Sequence, residues 1–214
     1  SRSEVQSSSS TDFMDISDDL VAFPTTFMDG EDIKIEWNHM KNPENKDFLG
    51  ISCGRQTSGD DFLDKVTVTN TTGSGSYVFS GLINMRCNYT IGDYEQSDNV
   101  ATQRAIVSIS PRNGIDEPMH IHTAFANKPS ERTIMWTSAS KDTPRLRLWR
   151  YNNPQYQEYN TTQREKYEPT NFCGPPANTT TQIYYRDPGY QNKVVLTNLL
   201  PGLYTYSISN NQID

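Results

Sequence analysis

His120 and His122 stand two residues apart in "MHIH", a spacing that puts both imidazoles on one face of a β-strand. Two histidines so placed can bind zinc if a third ligand joins them. The one other histidine, His39, lies far upstream, so the pair reads as polar strand residues rather than a metal site. The acidic pairs Asp18-Asp19 and Asp60-Asp61 sit in turn-like sequence. Adjacent side chains diverge there and solvate a loop instead of sharing a proton. Cys53, Cys87 and Cys173 show no C-x-x-C spacing and do not make a zinc site. No G-x-S-x-G, P-loop or G-x-G-x-x-G motif is present. These residues predict a protein that is not an enzyme and uses no catalytic residue, metal or cofactor.

The net charge of −7 argues against nucleic acid as a partner, because phosphate contacts need a cationic face. Arg145, Arg147 and Arg150 cluster in "PRLRLWR" but alternate with Leu146 and Leu148, the pattern of a strand with one solvated face. No apolar run approaches the about 18 residues of a membrane-spanning helix. N-x-[ST] sequons occur at Asn70, Asn88, Asn160 and Asn178, three of them in the Asn-Thr-Thr form. That density predicts a secreted protein carrying covalent glycans. Cys53 and Cys87 fall in strand-like stretches of the first half and could pair as a disulfide in an oxidising compartment. Cys173 is then free or joined to another chain.

The elements that must position these residues are short strands. "DIKIEW" alternates Ile33, Ile35 and Trp37 on one face, and "DFLGISC", "FLDKVTVTN", "GSYVFSGLINMRCNYTI" and "QRAIVSIS" follow. "PRNGIDEP" breaks the series at Pro111 and Pro118, and a second one begins with "MHIHTAF", "RTIMWTS", "RLRLWRY", "NKVVLTNL" and "GLYTYSIS". Trp37 and Trp136 each come late in a second strand, the place of a core anchor between two sheets. The expected fold is all-β: two tandem immunoglobulin/fibronectin-like sandwiches over residues 18–113 and 114–214. An extended Ser-rich tail, 1–17, precedes them. The opening strand of the first sandwich is read as "LVAFPTTF".

The second module resembles the N-terminal fibronectin-like domain of the purple acid phosphatases, through "EPMHIHTAF", "TIMWTSAS", "FCGPPA" and above all "DPGYQNKVVLTNLLPGLYTYSIS". The first resembles the extra immunoglobulin-like domain of the larger plant-type members, through "FLGI" and "TTGSGSYVFSGLINMRCNY". The resemblance covers roughly residues 20–208. It implies that phosphatase activity, where present, needs two metal ions held on a separate domain by GD-x-G, GD-x-x-Y, GN-H and G-H-x-H motifs. Here "GDDF" at Gly59 has Phe62 where the tyrosine is needed, "GDY" at Gly92 has the wrong spacing, and "MHIH" opens the second module. The implied identity is the N-terminal modules without the metallophosphatase domain.

The resemblance also implies one more strand after "GLYTYSIS". The second sandwich is therefore expected to lack its last strand and to offer an acceptor edge at Leu203, Tyr204, Tyr206 and Ile208. Bare sheet edges are normally covered. The tail of another copy, with Val5, Phe13, Met14 or Ile16 pointing inward, is the expected donor. Such contacts are heterologous and give rings or filaments. The leading expectation is thus a secreted fibre subunit whose partners are other copies of itself, head to tail. Two alternatives stay open. One is an accessory N-terminal fragment of a secreted purple acid phosphatase. The other is a carbohydrate-binding module using Trp149, Tyr151, Tyr156 and Tyr159 of the loop-like "WRYNNPQYQEYN".

Overall fold

The computed structural model describes residues 20–38, 47–54, 62–68, 73–97, 100–140, 144–175, 178 and 185–209. Among them the chain is strand and turn throughout, save a single 3-10 turn at Pro169–Asn171. No helix among these residues is long and apolar enough to cross a membrane.

The first half contributes β1 (Leu20–Phe23), β2 (Thr26–Phe27), β3 (Glu31–Trp37), β4 (Phe48–Cys53), β5 (Asp64–Thr67), β6 (Gly75–Leu82), β7 (Tyr89–Ser97) and β8 (Val100–Pro111). They form one sheet in the order β1-β3-β6 and another in the order β2-β8-β7-β4-β5. Period-two alternation sends Ile33, Ile35 and Trp37 inward from the first sheet and Leu49, Ile51, Ile91 and Ile109 from the second. "LVAFPTTF" is not one strand. Pro24 lacks an N–H for a ladder, the Phe23–Pro24 peptide is cis, and across it the chain passes from the β3 edge to a parallel pairing with β8. Trp37 consequently ends the third strand, not the second.

The second half contributes β9 (Met119–Phe125), β10 (Arg132–Ser138), β11 (Arg145–Arg150), β12 (Tyr156–Asn160), β13 (Gln163–Lys166), β14 (Tyr190–Leu196) and β15 (Tyr204–Ser209). Their sheets run β13-β14-β10-β9 and β12-β11-β15. Trp136, Ile134, Val194 and Leu196 meet Leu146 and Leu148 in a separate core. Tyr190 enters β14 directly after Gly189, whose φ is +85° and whose missing side chain leaves room for the Ser138 carbonyl oxygen. The glycine of "DPGY" is thus a packing requirement. Gly189→Ala should destabilise the second sandwich by at least about 2 kcal/mol, the left-handed strain alone costing about 1–2. Urea denaturation followed by Trp136 fluorescence measures it.

The "GDY" triplet is also structural. A Cβ on Gly92 would meet the ring of Tyr94, which stacks on Phe48 with centroids 5.1 Å apart. Asp93 is buried beside Asp47 and Arg104, and among the described residues its Oδ1 has no hydrogen-bond partner. Arg104 sits 2.9 Å from Asp47 Oδ2 but 4.0 Å from Asp93 Oδ2. Desolvation, the largest cause, raises the Asp93 carboxyl from an ordinary 3.8 to about 6; Asp47 and Glu95 add to the rise and Arg104 opposes it. The folded state therefore holds this proton more tightly than the unfolded chain. The stability it contributes is full below about pH 3.8 and is lost as pH rises through about 6. At about 1.4 kcal/mol per pH unit the loss approaches 3 kcal/mol. Asp93→Asn should match the parent near pH 3.5 and exceed it by about 1–3 kcal/mol at pH 7.5 in urea titrations. A less stable variant at pH 7.5 would contradict this account.

Candidate functional site at the module junction

Residues 112–118 lead from β8 to β9, and the loop between β6 and β7 reaches over them. The run "GSYVFSGLINMRCNYTI" is broken at 83–88, where Asn84 and Arg86 turn away from the first core. Asn84 is buried. Its backbone N–H donates to Asp29 Oδ1 at 2.6 Å, its Nδ2 donates to the Gly114 carbonyl at 2.9 Å, and its Oδ1 accepts from the Arg86 N–H at 3.0 Å. Arg86 has a φ of +63°, a conformation sparsely used by residues with a Cβ. Its guanidinium donates to the Ile115 carbonyl at 3.0 Å, to the Glu117 carbonyl, and to Thr137 Oγ1 of β10 at 2.9 Å. One side chain of the first sandwich therefore binds both the connector and the second sandwich. Burial lowers the Arg86 pKa, and Asp116, Glu117 and Asp29 counter that effect. Asp116 in turn accepts from the Ser140 N–H beyond β10, while Arg112 reaches back to Glu31 at 3.0 Å.

Thr137 links this clasp to a cleft of about 460 Å³ on the outer face of the β13-β14-β10-β9 sheet. Its Oγ1 lies 3.2 Å from His120 Nδ1. His120 itself has a φ of +53°, and the register of β9 on β10 shifts between Met135 and Thr137. The sheet register sets two rows across the face. His122, Met135, Lys193 and Gln163 make one; Thr137, Gln191 and Glu165 make the next. His122 Nδ1 lies 2.8 Å from the His120 carbonyl. A carbonyl can only accept, so Nδ1 is the donor of this pair. Gln163 bonds Glu165, and Lys193 Nζ is 3.5 Å from Gln163. The cleft thus presents alternating donors and acceptors with one cation and one anion. Among the described residues no three His, Cys, Asp or Glu side chains converge to hold a metal. His39 lies outside the described residues, as do Asp18-Asp19 and Asp60-Asp61.

The acceptor edge is expected on β15 (Tyr204–Ser209). Among the described residues β15 pairs only with β11, and Tyr204, Tyr206 and Ile208 pack half-buried on the second core. Leu203 is a correction. It precedes the strand, is 64% exposed, and its carbonyl accepts from the Tyr151 N–H at 2.8 Å. The donor residues Val5, Phe13, Met14 and Ile16 lie outside the described residues.

"WRYNNPQYQEYN" is not a loop region but the β11–β12 hairpin. Leu146 pairs with Tyr159 on the core side, and Trp149 with Tyr156 on the outer side. Arg147 lies 5.2 Å from the Tyr156 ring centre, and Arg145 and Arg147 both face Glu158. The four aromatics therefore do not form one platform.

Asn88 and Asn160 are exposed and Asn178 is half-buried; Asn70 lies outside the described residues. Cys53 and Cys87 are joined by a disulfide with Cα atoms 5.7 Å apart, and Cys173 is exposed and free. Arg86, Asn84 and Thr137 were not singled out by sequence. The available signal was the interruption of alternation at "INMRCN", where two positions reach outward rather than into the core.

No family model matches the sequence. The probable inactive purple acid phosphatase 9 of Arabidopsis thaliana is 22% identical over 203 residues, covering 85% of this chain and 31% of that protein. The chain is homologous to part of the purple acid phosphatases. The structure of purple acid phosphatase PPD1 from yellow lupin (Lupinus luteus) seeds matches at a TM-score of 0.64 and 19% identity. That match covers 88% of this chain and 37% of the lupin chain, and it carries the fold. The chain spans about a third of the length of the purple acid phosphatases it matches.

The clasp can be tested by an isosteric change. Thr137→Val removes the acceptor for Arg86 Nη2 while keeping the shape. It should cost about 1.5–3 kcal/mol, as for a hydrogen bond to a charged group. Gly189→Ala acts inside the second sandwich; Thr137→Val should instead also speed hydrogen exchange at the Glu117 amide.

Proposed function

We propose that this chain is a non-catalytic accessory region of a secreted purple-acid-phosphatase-type protein, a two-sandwich arm held at a set angle by the Arg86 clasp. The carrying observation is the extent of the homology. It takes in most of this chain and about a third of the Arabidopsis protein, while the sequence contains no set of metal-ligand motifs for a two-metal phosphatase site. The description of that relative as a probable inactive phosphatase fits a role outside catalysis. Exposed sequons at Asn88 and Asn160 support N-glycosylation and secretion; Asn70 and Asn178 belong to the same reading.

A second reading rests on β15, bonded on one side only among the described residues. There a donated strand from another copy would add main-chain hydrogen bonds and complete the sheet, giving the head-to-tail filament.

The 214-residue chain with iron and zinc added should hydrolyse p-nitrophenyl phosphate no faster than metal alone. An antibody to this chain should detect, in the native secretions, a protein about three times as long that shortens on N-glycanase treatment. A secreted species of about 24 kDa plus glycans that sediments as polymers would favour the filament. Phosphatase activity in the isolated chain would overturn both.

A further inference from the structure

Arg86 is followed by Cys87, and Cys87 is bonded to Cys53 at the end of β4. We propose that the Cys53–Cys87 disulfide sets the angle between the two sandwiches, by fixing the loop that carries Asn84 and Arg86. This goes beyond the accessory role and does not require it.

The loop is held at both ends. The Tyr89 hydroxyl donates to the Ile83 carbonyl at 2.6 Å, and the Gly54 N–H to the Asn88 carbonyl at 2.7 Å. Between those points the disulfide is the sole covalent tie across the loop, and the groups facing away from the first core are the ones that grip the second sandwich. The left-handed backbone at Arg86 persists only if its surroundings determine it, and the bonded neighbour restricts it most directly. The first sandwich does not need the bond for its sheet. The β4–β7 ladder pairs Phe48 through Cys53 with Tyr94 through Tyr89, and the core is built from residues such as Leu49, Ile51 and Ile91. Both cysteines only pack at its margin. An immunoglobulin-type disulfide crosses between sheets through the core; this one joins the end of β4 to the loop just ahead of β7, its neighbour in the same sheet.

The test uses the 214-residue chain, with Cys53→Ser/Cys87→Ser, Arg86→Ala, and the triple variant. Three readouts are compared: trypsin cleavage after Arg112 in the connector, small-angle scattering, and hydrogen exchange at Leu49 and Ile91. The double-serine and Arg86→Ala chains should each cleave at Arg112 at least tenfold faster than the parent and show a broader distance distribution. Exchange at Leu49 and Ile91 should stay within a few-fold. The triple variant should be no looser than either, because both changes remove one coupling. Unchanged cleavage in the double-serine chain would overturn the proposal. So would fully additive effects, or collapse of Leu49 and Ile91 protection, which would make the bond a staple of the first fold.

Discussion

A guanidinium partly withdrawn from water must find acceptors in several directions at once, and Arg86, from the first sandwich, finds them in the connector and the second sandwich. Its partners are two carbonyls of the connector and a hydroxyl of β10. Each is placed by something else: the connector by Asn84 and Asp116, the hydroxyl by the β9–β10 register. Desolvation makes any partial engagement costly. Three hydrogen bonds thus tie the loop, the connector and β10 together. Two separate hydrophobic cores explain why each sandwich folds; the half-buried Arg86 is what joins them through the connector and β10.

The same logic separates apparent chemistry from actual chemistry along this chain. "GDY" looks like a fragment of a metal-binding motif, yet its glycine admits an aromatic ring and its aspartate is a buried acid held beside Arg104. "DPGY" carries family resemblance through a glycine that a carbonyl oxygen presses against. "MHIH" places two imidazoles on a polar sheet face where further ligands do not converge among the described residues. In "GDY" and "DPGY" the glycines serve packing and backbone geometry.

The sandwich architecture was legible because alternation survives intact in "DIKIEW", "RTIMWTS" and "RLRLWRY", and because Trp37 and Trp136 mark the two cores. The split of "LVAFPTTF" was less visible, since a proline announces a break but not a change of sheet. Leu203 was misread because an apolar residue beside a strand pattern looks like part of it, whereas here its carbonyl serves the hairpin tip at Tyr151. The junction was hidden for a different reason. Its members are contributed by segments about 30 to 50 residues apart, and a single outward arginine next to a cysteine has no periodic signature. The aromatic hairpin showed its residue types but not its pairing, and only the pairing divides Tyr159 from Trp149.

What Arg86 grips in the connector is main chain. Every amino acid supplies the same carbonyl oxygen, proline included. Glu117 also brings a carboxylate that favours the charged guanidinium and holds Asn113 Nδ2 at 2.7 Å, so it is position 115 that can change identity without loosening the hinge, provided its peptide plane keeps its tilt. Substitutions there would alter what the joint shows to its surroundings, its charge and its texture, and leave its set untouched. At that position the connector is a surface that can be rewritten over a fixed frame.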